Sequence, residues 1–499
     1  MTLPRGNPAN SAGLIRGLGI CSTTAVVVGS IVGQGVFLVA GDIAREVGSP
    51  IMVLLLWLLG GAIVCCGTLC YAELGAALPE AGGDYIYLSR GIHPVFGFLY
   101  GWTTTIIMLP GTQAVIAVGL VRLASFLTPS ITTPICTWQI AIPFATQSYG
   151  FTLSWAQLLA ALDISIASLL NYFSVRTSGG FQIFVTSLKI TAVLGIILLG
   201  FFVGRAKDVV SVLGMHRQHL QIGGILTALV PVMLAYNGFQ HLGKLGAEIA
   251  TPRKNLPRAL IVGTSLAFAL YLLVNWMYLR VLGFAALAES QHVASDTISR
   301  LAGIQGAKWL TIAMIISAFG TGHAGFLIGP RVPYAMARDG YFFAFAKRLQ
   351  PKFHSPSGAL LLQWFVAILL VLSGTYQQLY SYAMFATWTF FAFTAVALIQ
   401  LRRKEPSLAR PFHAWGYPWT PLIFGTIALM ISVNFWRVHP VQSSIGLGVI
   451  LLGLPFFYSW NKRRNFARIP DCPCEKPASR WSDSSPTSNS IVLVTPTRS

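Results

Sequence analysis

Charged residues are scarce in this 499-residue chain, where Asp, Glu, Lys and Arg together make up 10%, against about 25% in an average soluble domain. Hydrophobic residues make up 54%, so a soluble fold of this length could not cover its surface with polar side chains. The composition excludes a cytosolic enzyme, a nucleic-acid-binding protein and a disulfide scaffold. It predicts an integral membrane protein, in which the apolar excess faces the lipid bilayer.

Acidic residues are the scarcest charged group, with 15 Asp and Glu against 34 Lys and Arg and a formal net charge of +19. In a soluble chain this excess would suggest a nucleic-acid partner, but the cytoplasmic loops of membrane proteins collect Lys and Arg. We therefore expect the basic residues to report membrane topology, and we expect no nucleic-acid partner.

Cysteine is also rare. The seven cysteines are too few and too scattered for a disulfide framework. Cys65, Cys66 and Cys70 lie in an apolar run, where a thiol behaves as a small hydrophobic group. We expect no redox role and no cofactor.

The two ends of the chain are polar. Residues 1–17 run into an apolar segment without a small-residue cleavage site, so we expect a cytoplasmic N-terminal segment and no removable signal peptide. Residues 465–499 are rich in Pro, Ser, Thr and charge, which predicts a disordered cytoplasmic tail. Cys472 and Cys474 are interpreted as solvated residues of that tail.

Twelve apolar stretches approach the roughly 20 residues that a membrane-spanning helix needs. They lie at about 18–41, 51–75, 95–120, 155–173, 180–203, 223–243, 258–284, 309–330, 358–374, 379–400, 418–436 and 443–460. With both termini inside, the inner flanks carry about twice as many Lys and Arg as the outer flanks. The prediction is an all-α, multi-pass protein of the plasma or inner membrane, with both termini in the cytoplasm.

Segments 1 and 6 contain helix-breaking and polar residues near their centres. Segment 1 carries three glycines and two polar residues within 29–37, and segment 6 carries Pro231 followed by a polar stretch at 235–241. Backbone freed at membrane depth is tolerated only where it is buried in protein or lines a cavity. Unwinding at both points would offer N–H groups to a carboxylate and carbonyls to an ammonium, which suits a zwitterion.

A simpler explanation of segment 1 is that Gly29 and Gly33, four residues apart, allow two helices to approach closely. The matching interruption in segment 6 favours the binding site, because paired interruptions at the starts of two helix sets are typical of inverted-repeat transporters.

Further motifs run nearly the whole length of the chain in a fixed order. They lie at 71–75 and 78–85, 97–102, 181–189, 248–252 with 255–259, 331 with 338–340, and 410–412 with 416–418. Together they resemble the amino acid–polyamine–organocation superfamily, and within it the L-type (LAT-like) amino acid permeases. The resemblance implies a LeuT-like five-plus-five inverted repeat, formed by 18–203 and 221–401, with helices 11 and 12 at 418–460 outside it. It also implies broken helices 1 and 6 and an amino acid substrate.

The resemblance implies a substrate site built largely from backbone. The carboxylate-binding N–H groups of the family match Gly33, Gln34 and Gly35, and its ammonium-binding carbonyls match Ile31, Leu234 and Asn237. Relatives usually carry a small hydroxyl residue at position 34, an aromatic residue at 234 and a glycine at 237, so the identity of the amino acid stays open. The predicted site also includes Tyr236, Phe319 and Thr387.

Lys189 is the one cation in the apolar stretch 181–200, and ionisable residues at such depth are functional candidates. Burial favours its neutral form, which would let it exchange a proton. Alternatively, its ammonium is a structural group bonded to segment 1 carbonyls and to the hydroxyl of Ser317 or Thr321. The resemblance implies that this lysine stands where sodium-driven relatives hold a cation, and hence sodium independence.

Other polar residues interrupt apolar faces, and charged residues stand at the inner helix ends. The first group is Asp163, His241, Lys244 and His323, and we interpret the histidines as packing residues with satisfied partners. The second group could close an inner gate through ion pairs of Glu248 with Arg253 or Lys254 and of Arg331 with Asp339, or it could be solvated loop charge.

Cys136 lies in the outer loop between segments 3 and 4. The resemblance places it near a cysteine that bridges some members to a single-span glycoprotein. One exposed cysteine is a thin signal for intermolecular pairing, so we interpret it as a loop residue and expect no accessory glycoprotein.

The predicted function is sodium-independent transport of L-amino acids by alternating access, as an antiporter or a proton-coupled symporter. The protein is not expected to be an enzyme or to hold a metal, since neither His241 nor His323 has a nucleophile or metal partner at ligand spacing. A channel is disfavoured because the sequence has no repeated filter or charged ring. A substrate sensor with a transporter fold remains the other alternative.

Overall fold

The computed structural model of the chain describes residues 16–33, 35–140, 149–173, 175–203, 222–373 and 376–466. Within these ranges, ten helices are long and apolar enough to cross a membrane, and Ser357–Leu372 is a shorter apolar helix. The protein is therefore a multi-pass, mostly helical membrane protein. Cys472, Cys474 and most of the predicted terminal segments lie outside the described residues.

The α-helices are numbered in chain order. They are α1 Ile20–Ile31, α2 Gly35–Val47, α3 Pro50–Ala77, α4 Asp84–Gly91, α5 Pro94–Thr103, α6 Leu109–Ala124, α7 Trp155–Phe173, α8 Val175–Phe202, α9 Ile222–Ala235, α10 Pro252–Leu282, α11 Phe284–Glu289, α12 Val293–Ile328, α13 Arg331–Arg338, α14 Ser357–Leu372, α15 Tyr376–Lys404, α16 Trp419–Val438 and α17 Pro440–Phe466. A π-helical turn, Thr104–Met108, joins α5 to α6, and short 3₁₀ helices occupy Pro129–Thr132, Phe239–Lys244, Gly246–Glu248 and Ala344–Lys347.

The structure adds one β-hairpin to the helices that the sequence predicts. Strands β1 (Pro134–Ile140) and β2 (Tyr149–Ser154) pair antiparallel between α6 and α7. Aromatic and β-branched residues are frequent in both strands, as is usual for strands. A search for apolar stretches of membrane-spanning length does not detect strands of this size, so the all-α prediction requires this correction.

The predicted interruption of segment 1 is present. Helix α1 ends at Ile31, where the Gly33 N–H turns back to donate to the Ile31 carbonyl at 2.7 Å, and α2 begins at Gly35. Residues 32–34 are the first break; Gln34 itself lies outside the described residues.

The interruption of segment 6 is also present. Helix α9 ends at Ala235, and a 3₁₀ helix begins at Phe239. The intervening residues 236–238 are the second break. Gly238 has φ 136°, a conformation that favours glycine.

Segment 8 is longer than the sequence predicts. Helix α12 begins at Val293 rather than near 309, and Gly303, with φ 72°, interrupts its helical geometry. The added part carries Asp296 and Arg300, and these charges are why it does not stand out as an apolar stretch.

The main hydrophobic core surrounds both breaks. Helix α10 packs against α1 and α3, and α2 packs against α9. Trp57 of α3, Tyr236 of the second break and Tyr271 of α10 are fully buried with ring centroids 4.9 to 5.6 Å apart. A smaller apolar cluster joins α6, α7, α12 and α14. The two clusters flank the junction at which the breaks meet.

Candidate functional site

The two breaks contact each other through positions that tolerate only small residues. A Cβ at Gly238 would lie 2.4 Å from the Ser30 carbonyl oxygen, closer than real Cβ atoms approach. A Cβ at Gly35 would lie 3.1 Å from the Cα of Ala235. Gly238 in the second break therefore lets the backbone lie against the end of α1, and Gly35 beside the first break lets the start of α2 lie against the end of α9.

The hydroxyl of Tyr271 joins the ends of α1 and α9. It lies 2.8 Å from the Ile31 carbonyl oxygen and 3.1 Å from the Ala235 carbonyl oxygen, so it can donate to either one. The ring is fully buried. The sequence analysis missed this residue; its only signal is a hydroxyl in the apolar stretch 258–284, which also holds Tyr278.

The first break presents helix ends of opposite polarity. The first N–H groups of α2 have no partners within the helix and carry the positive end of its dipole. At the end of α1, the Ile31 carbonyl accepts from Gly33 and Tyr271. Such an arrangement can hold a carboxylate at the start of α2, close to carbonyl oxygens that attract a cation.

The second break is ordered by its own polar groups. The Leu234 carbonyl accepts from the Asn237 N–H at 3.1 Å. The side-chain oxygen of Asn237 accepts from the Gln240 amide at 2.5 Å, and the Gln240 oxygen accepts from the Gly238 N–H at 3.1 Å. Each carbonyl has a second lone pair for a ligand.

A cavity of about 480 Å³ opens at the junction of the breaks. A cavity of this volume is in the range that binds small molecules. It contains six of the predicted site residues: Ile31, Gly33, Gly35, Leu234, Asn237 and Thr321. It also contains polar residues that the sequence analysis did not place there, namely Ser30, Thr112 and Gln113.

Three predicted substrate-binding side chains do not line this cavity. Tyr236 is fully buried and donates to the Trp57 carbonyl at 3.2 Å. Phe319 packs against the ring of Phe181, and the Thr387 hydroxyl donates within α15. In the structure these side chains contact other protein groups rather than the cavity.

Lys189 lies next to the cavity and is fully buried. Its ammonium donates to the Gly29 carbonyl at 2.8 Å and to the Thr321 hydroxyl at 2.6 Å. Thr321 lines the cavity as well, so it connects the lysine to the cavity wall. The Ser317 hydroxyl, the other predicted partner, forms no hydrogen bond with the described residues.

The end of the molecule that carries the first described residues is closed; we call it the N-terminal face. There Glu248 and Arg331 form a two-pronged ion pair, with N···O distances of 2.7 and 3.1 Å, and both side chains are 2% exposed. The N–H groups of Gly17 and Leu18 donate to the Glu248 carbonyl, and Leu18 pairs with Ile249.

This pairing differs from the sequence expectation. Glu248 binds Arg331, which is 83 residues away, rather than Arg253 or Lys254. Asp339, the expected partner of Arg331, instead accepts from Arg338 and from the Tyr85 hydroxyl. The sequence suggests only nearby residues as ion-pair partners, because no pattern in it shows which distant helix ends meet.

The opposite face is open. Asp42, Arg122 and Ser125 line the cavity at this end. Asp42 bonds to Arg45, and both side chains are more than 40% exposed. Burial and the charge of Arg122 lower the pKa of the nearby His292 imidazole.

Across the described ranges, no group of three or more His, Cys, Asp or Glu side chains is arranged to hold a metal ion. The cavity is lined mainly by backbone groups, hydroxyls, amides and apolar side chains, with His241 in its wall and the charged Asp42 and Arg122 at its open end.

A bundle of membrane-spanning helices with a small-molecule cavity, closed at one face and open at the other, defines a membrane transport protein. Residues 18–455 match the model of the amino acid permease family, and the chain belongs to that family. The likeness to L-type permeases inferred from the motifs is confirmed.

Curated relatives span nearly the whole chain. Large neutral amino acids transporter small subunit 2 of Rattus norvegicus is 28% identical over 470 residues, covering 92% of this chain and 83% of that protein. Asc-type amino acid transporter 1 of Mus musculus is 28% identical over 455 residues, covering 88% and 80%. The cystine/glutamate transporter of Homo sapiens is 27% identical over 452 residues, covering 89% and 86%.

Proposed function

We propose that this permease carries L-amino acids across the cytoplasmic membrane without sodium, by alternating access. The observation that carries the proposal is that the two helix breaks meet at a cavity of about 480 Å³. Broken helices at a central cavity are the usual means by which transporters bind a solute with backbone groups. The protein makes no covalent bond in this process, so it acts as a carrier and not as an enzyme.

In the proposed binding mode, the α-carboxylate sits at the start of α2, on the N–H groups of Gly33, Gln34 and Gly35, and replaces the Ile31 carbonyl as acceptor of the Gly33 N–H. The ammonium approaches the carbonyls of Ile31, Leu234 and Asn237. The contacts between the breaks support this mode, because they hold both helix ends at one wall of the cavity.

Sodium independence is supported by the surroundings of Lys189. Its ammonium lies between α1 and α12, bonded to Gly29 and Thr321. A fixed positive charge at these oxygens would repel a sodium ion. Lys189 can have one of two roles. If it exchanges a proton during transport, the mode is proton symport; if it is purely structural, the mode is amino acid exchange.

We further propose twelve membrane crossings. The ten long helices and Ser357–Leu372 supply eleven, and α9 with the 3₁₀ segments up to Glu248 supplies the remaining one. The two interrupted crossings would begin the repeats at 18–203 and 221–401, with 418–460 outside. Since the basic loops lie on the N-terminal face, that face is proposed to be cytoplasmic, and the cavity opens outward.

The test is uptake of a panel of labelled amino acids into proteoliposomes holding the purified chain. Uptake should occur in sodium-free buffer. It should be stimulated either by internal amino acid, which indicates exchange, or by an inward proton gradient, which indicates symport. Absence of uptake under all these conditions, with binding retained, would instead identify a sensor, and sodium dependence would refute the sodium-independent mechanism.

Lys189→Ala is the matching variant, with the exposed Lys308→Ala as control. We expect Lys189→Ala to fold but to lose uptake or its pH dependence. If its rate and pH profile both equal those of the unmodified protein, proton exchange by Lys189 is excluded.

A further inference from the structure

Helix α7 buries one stripe of residues, and a carboxyl group stands in that stripe. The buried residues recur at helical spacing: Ala160, Asp163, Ile164, Ala167, Ser168 and Asn171. Asp163 is 8% exposed, so its side chain faces the protein interior. Its surroundings include the apolar cluster of α6, α7, α12 and α14.

Asp163 has no hydrogen bond or ion pair with any residue in the described part of the chain. His323 of α12 packs its imidazole ring on Phe181 of α8 at 4.9 Å, and its Nδ1 has no hydrogen-bond partner among the described residues. Asn171, on the same stripe, donates to the backbone carbonyls of Ala167 and His323. The charged form of a buried carboxyl is costly unless a cation pairs with it, so a cation that reaches Asp163 would be bound by that form.

The carboxyl lies just behind the cavity wall, on the side of α12 that Gly322 presents. A Cβ built at Gly322 would lie 3.9 Å from Oδ2 of Asp163 and 3.7 Å from Oε1 of Gln113, so both acceptors lie against the same point of α12. Thr321 and Gly325, which flank this position on α12, both line the cavity. So does Gln113.

This point of α12 lies away from the proposed backbone site but within reach of it. A Cβ at Gly33 would be 3.7 Å from the Thr321 side chain, and Gly322 is the next residue along α12. Thr321 therefore faces the first break and Lys189, while Gly322 faces α6 and α7. In the proposal that follows, a solute held by the first break extends its side chain past Thr321 toward Asp163.

We propose that Asp163 and Gln113 form a side-chain subsite that accepts the positively charged end of a basic amino acid, such as the ε-ammonium of lysine. This inference rests on the proposed amino acid transport. A cation supplies the opposite charge that the buried carboxylate lacks as a partner. The Gln113 oxygen supplies a second hydrogen-bond acceptor for that cation. A neutral side chain of the same length leaves the carboxyl unpaired.

The experiment compares L-lysine with L-norleucine, which has the same four-carbon chain without the ammonium group. Both compete with a labelled amino acid for uptake by the full chain in proteoliposomes. The unmodified protein should be half-inhibited by lysine at a concentration at least tenfold lower than by norleucine. Asp163→Asn should raise the half-inhibitory concentration of lysine at least tenfold and change that of norleucine less than twofold.

Three further variants isolate the subsite. Gln113→Leu should raise the half-inhibitory concentration of lysine by a smaller factor, about threefold, because it removes one acceptor. Asp163→Glu should retain the preference for lysine, since the charge is kept. Asp42→Asn removes a carboxylate from the mouth of the same cavity and should leave the preference unchanged within twofold.

Each outcome of these measurements either supports or overturns the proposed subsite. Equal inhibition by lysine and norleucine in the unmodified protein, or an unchanged ratio in Asp163→Asn, overturns the subsite while leaving neutral amino acid transport intact. Loss of the preference in Asp42→Asn as well as in Asp163→Asn would show that general charge attraction, not the subsite, selects lysine. Absence of uptake of every amino acid overturns the proposed function and the subsite together.

Discussion

The two faces of the protein use similar charged side chains in opposite ways. On the N-terminal face, Glu248 and Arg331 are 2% exposed and form two N···O contacts. On the open face, Asp42 and Arg45 pair while more than 40% exposed. An exposed pair contributes little to stability, whereas breaking a buried pair leaves an uncompensated charge. The difference indicates that the closed face is held by desolvated contacts and that the open face has few such contacts to break.

A second buried carboxylate strengthens the contrast. Glu73, 1% exposed, accepts from Arg402 at 2.7 and 2.5 Å and from the Ala414 N–H at 2.7 Å. It joins the end of α3 to the end of α15 and to the loop before α16. The N-terminal face is therefore cross-linked at two separate places, and the alternating access proposed above would have to reorganise at least one of them.

The largest effect is expected from Glu248→Gln. The variant leaves Arg331 charged, buried and without its carboxylate, which costs about 3 kcal/mol. We expect a marked fall in the thermal unfolding midpoint in detergent and loss of most uptake. The control is Glu80→Gln, whose partner Arg338 is 3.8 Å away on the surface; an equal loss in both variants would contradict the comparison.

A smaller effect is expected from Gly29→Ala. Its Cβ would lie 2.3 Å from the Gln182 amide nitrogen and 2.5 Å from the Thr186 hydroxyl, so both side chains of α8 must shift. Overpacking of this kind costs about 2 kcal/mol. Thermal unfolding should show the loss, while Gly33→Ala, whose nearest neighbour is 3.7 Å away, should stay close to the unmodified protein.

The same pair of variants separates stability from binding. If the Gly33 N–H holds the substrate carboxylate, Gly33→Ala should weaken binding because the methyl group crowds that position. Isothermal titration with the best substrate measures it. Normal affinity in Gly33→Ala and in the bulkier Gly35→Val would argue against the backbone site.

Tyr271→Phe should have an intermediate effect, because it removes the hydroxyl that joins Ile31 to Ala235. The expected cost is about 1 kcal/mol, seen as lower thermal stability and as weaker substrate binding. Tyr278→Phe is the matched control: this tyrosine lies on the same helix, is fully buried, and its hydroxyl has no partner within the described ranges. Equal effects of the two substitutions would remove the special role of Tyr271.

The smallest effect belongs to Arg45→Gln on the open face. It removes an exposed pair and should change stability by about 0.5 kcal/mol or less. Thermal unfolding in low and high salt measures it. A loss comparable to that of Glu248→Gln would mean that the open face is held by charge after all.

Much of the site was predictable because local chemistry constrains it. Glycines and polar residues in the middle of an apolar stretch are costly in lipid, so the breaks near Gly33 and after Ala235 follow from the sequence. Lys189 was identified for the same reason. Tyr236 does not line the cavity, because the packing of the second break against α3 and α10 fixes the direction of its side chain and no local pattern shows that packing.

The sequence by itself determined that this chain is a membrane protein of the amino acid permease family and where its helices are interrupted, since each of these depends on which residues lie in a short stretch of lipid-spanning chain. Only the tertiary structure decided that Glu248 pairs with Arg331, that Tyr271 joins the two breaks, and that Asp163 stands unpaired beside Gly322. These contacts join residues 36 to 240 positions apart, and which helix faces meet depends on the packing of the whole bundle.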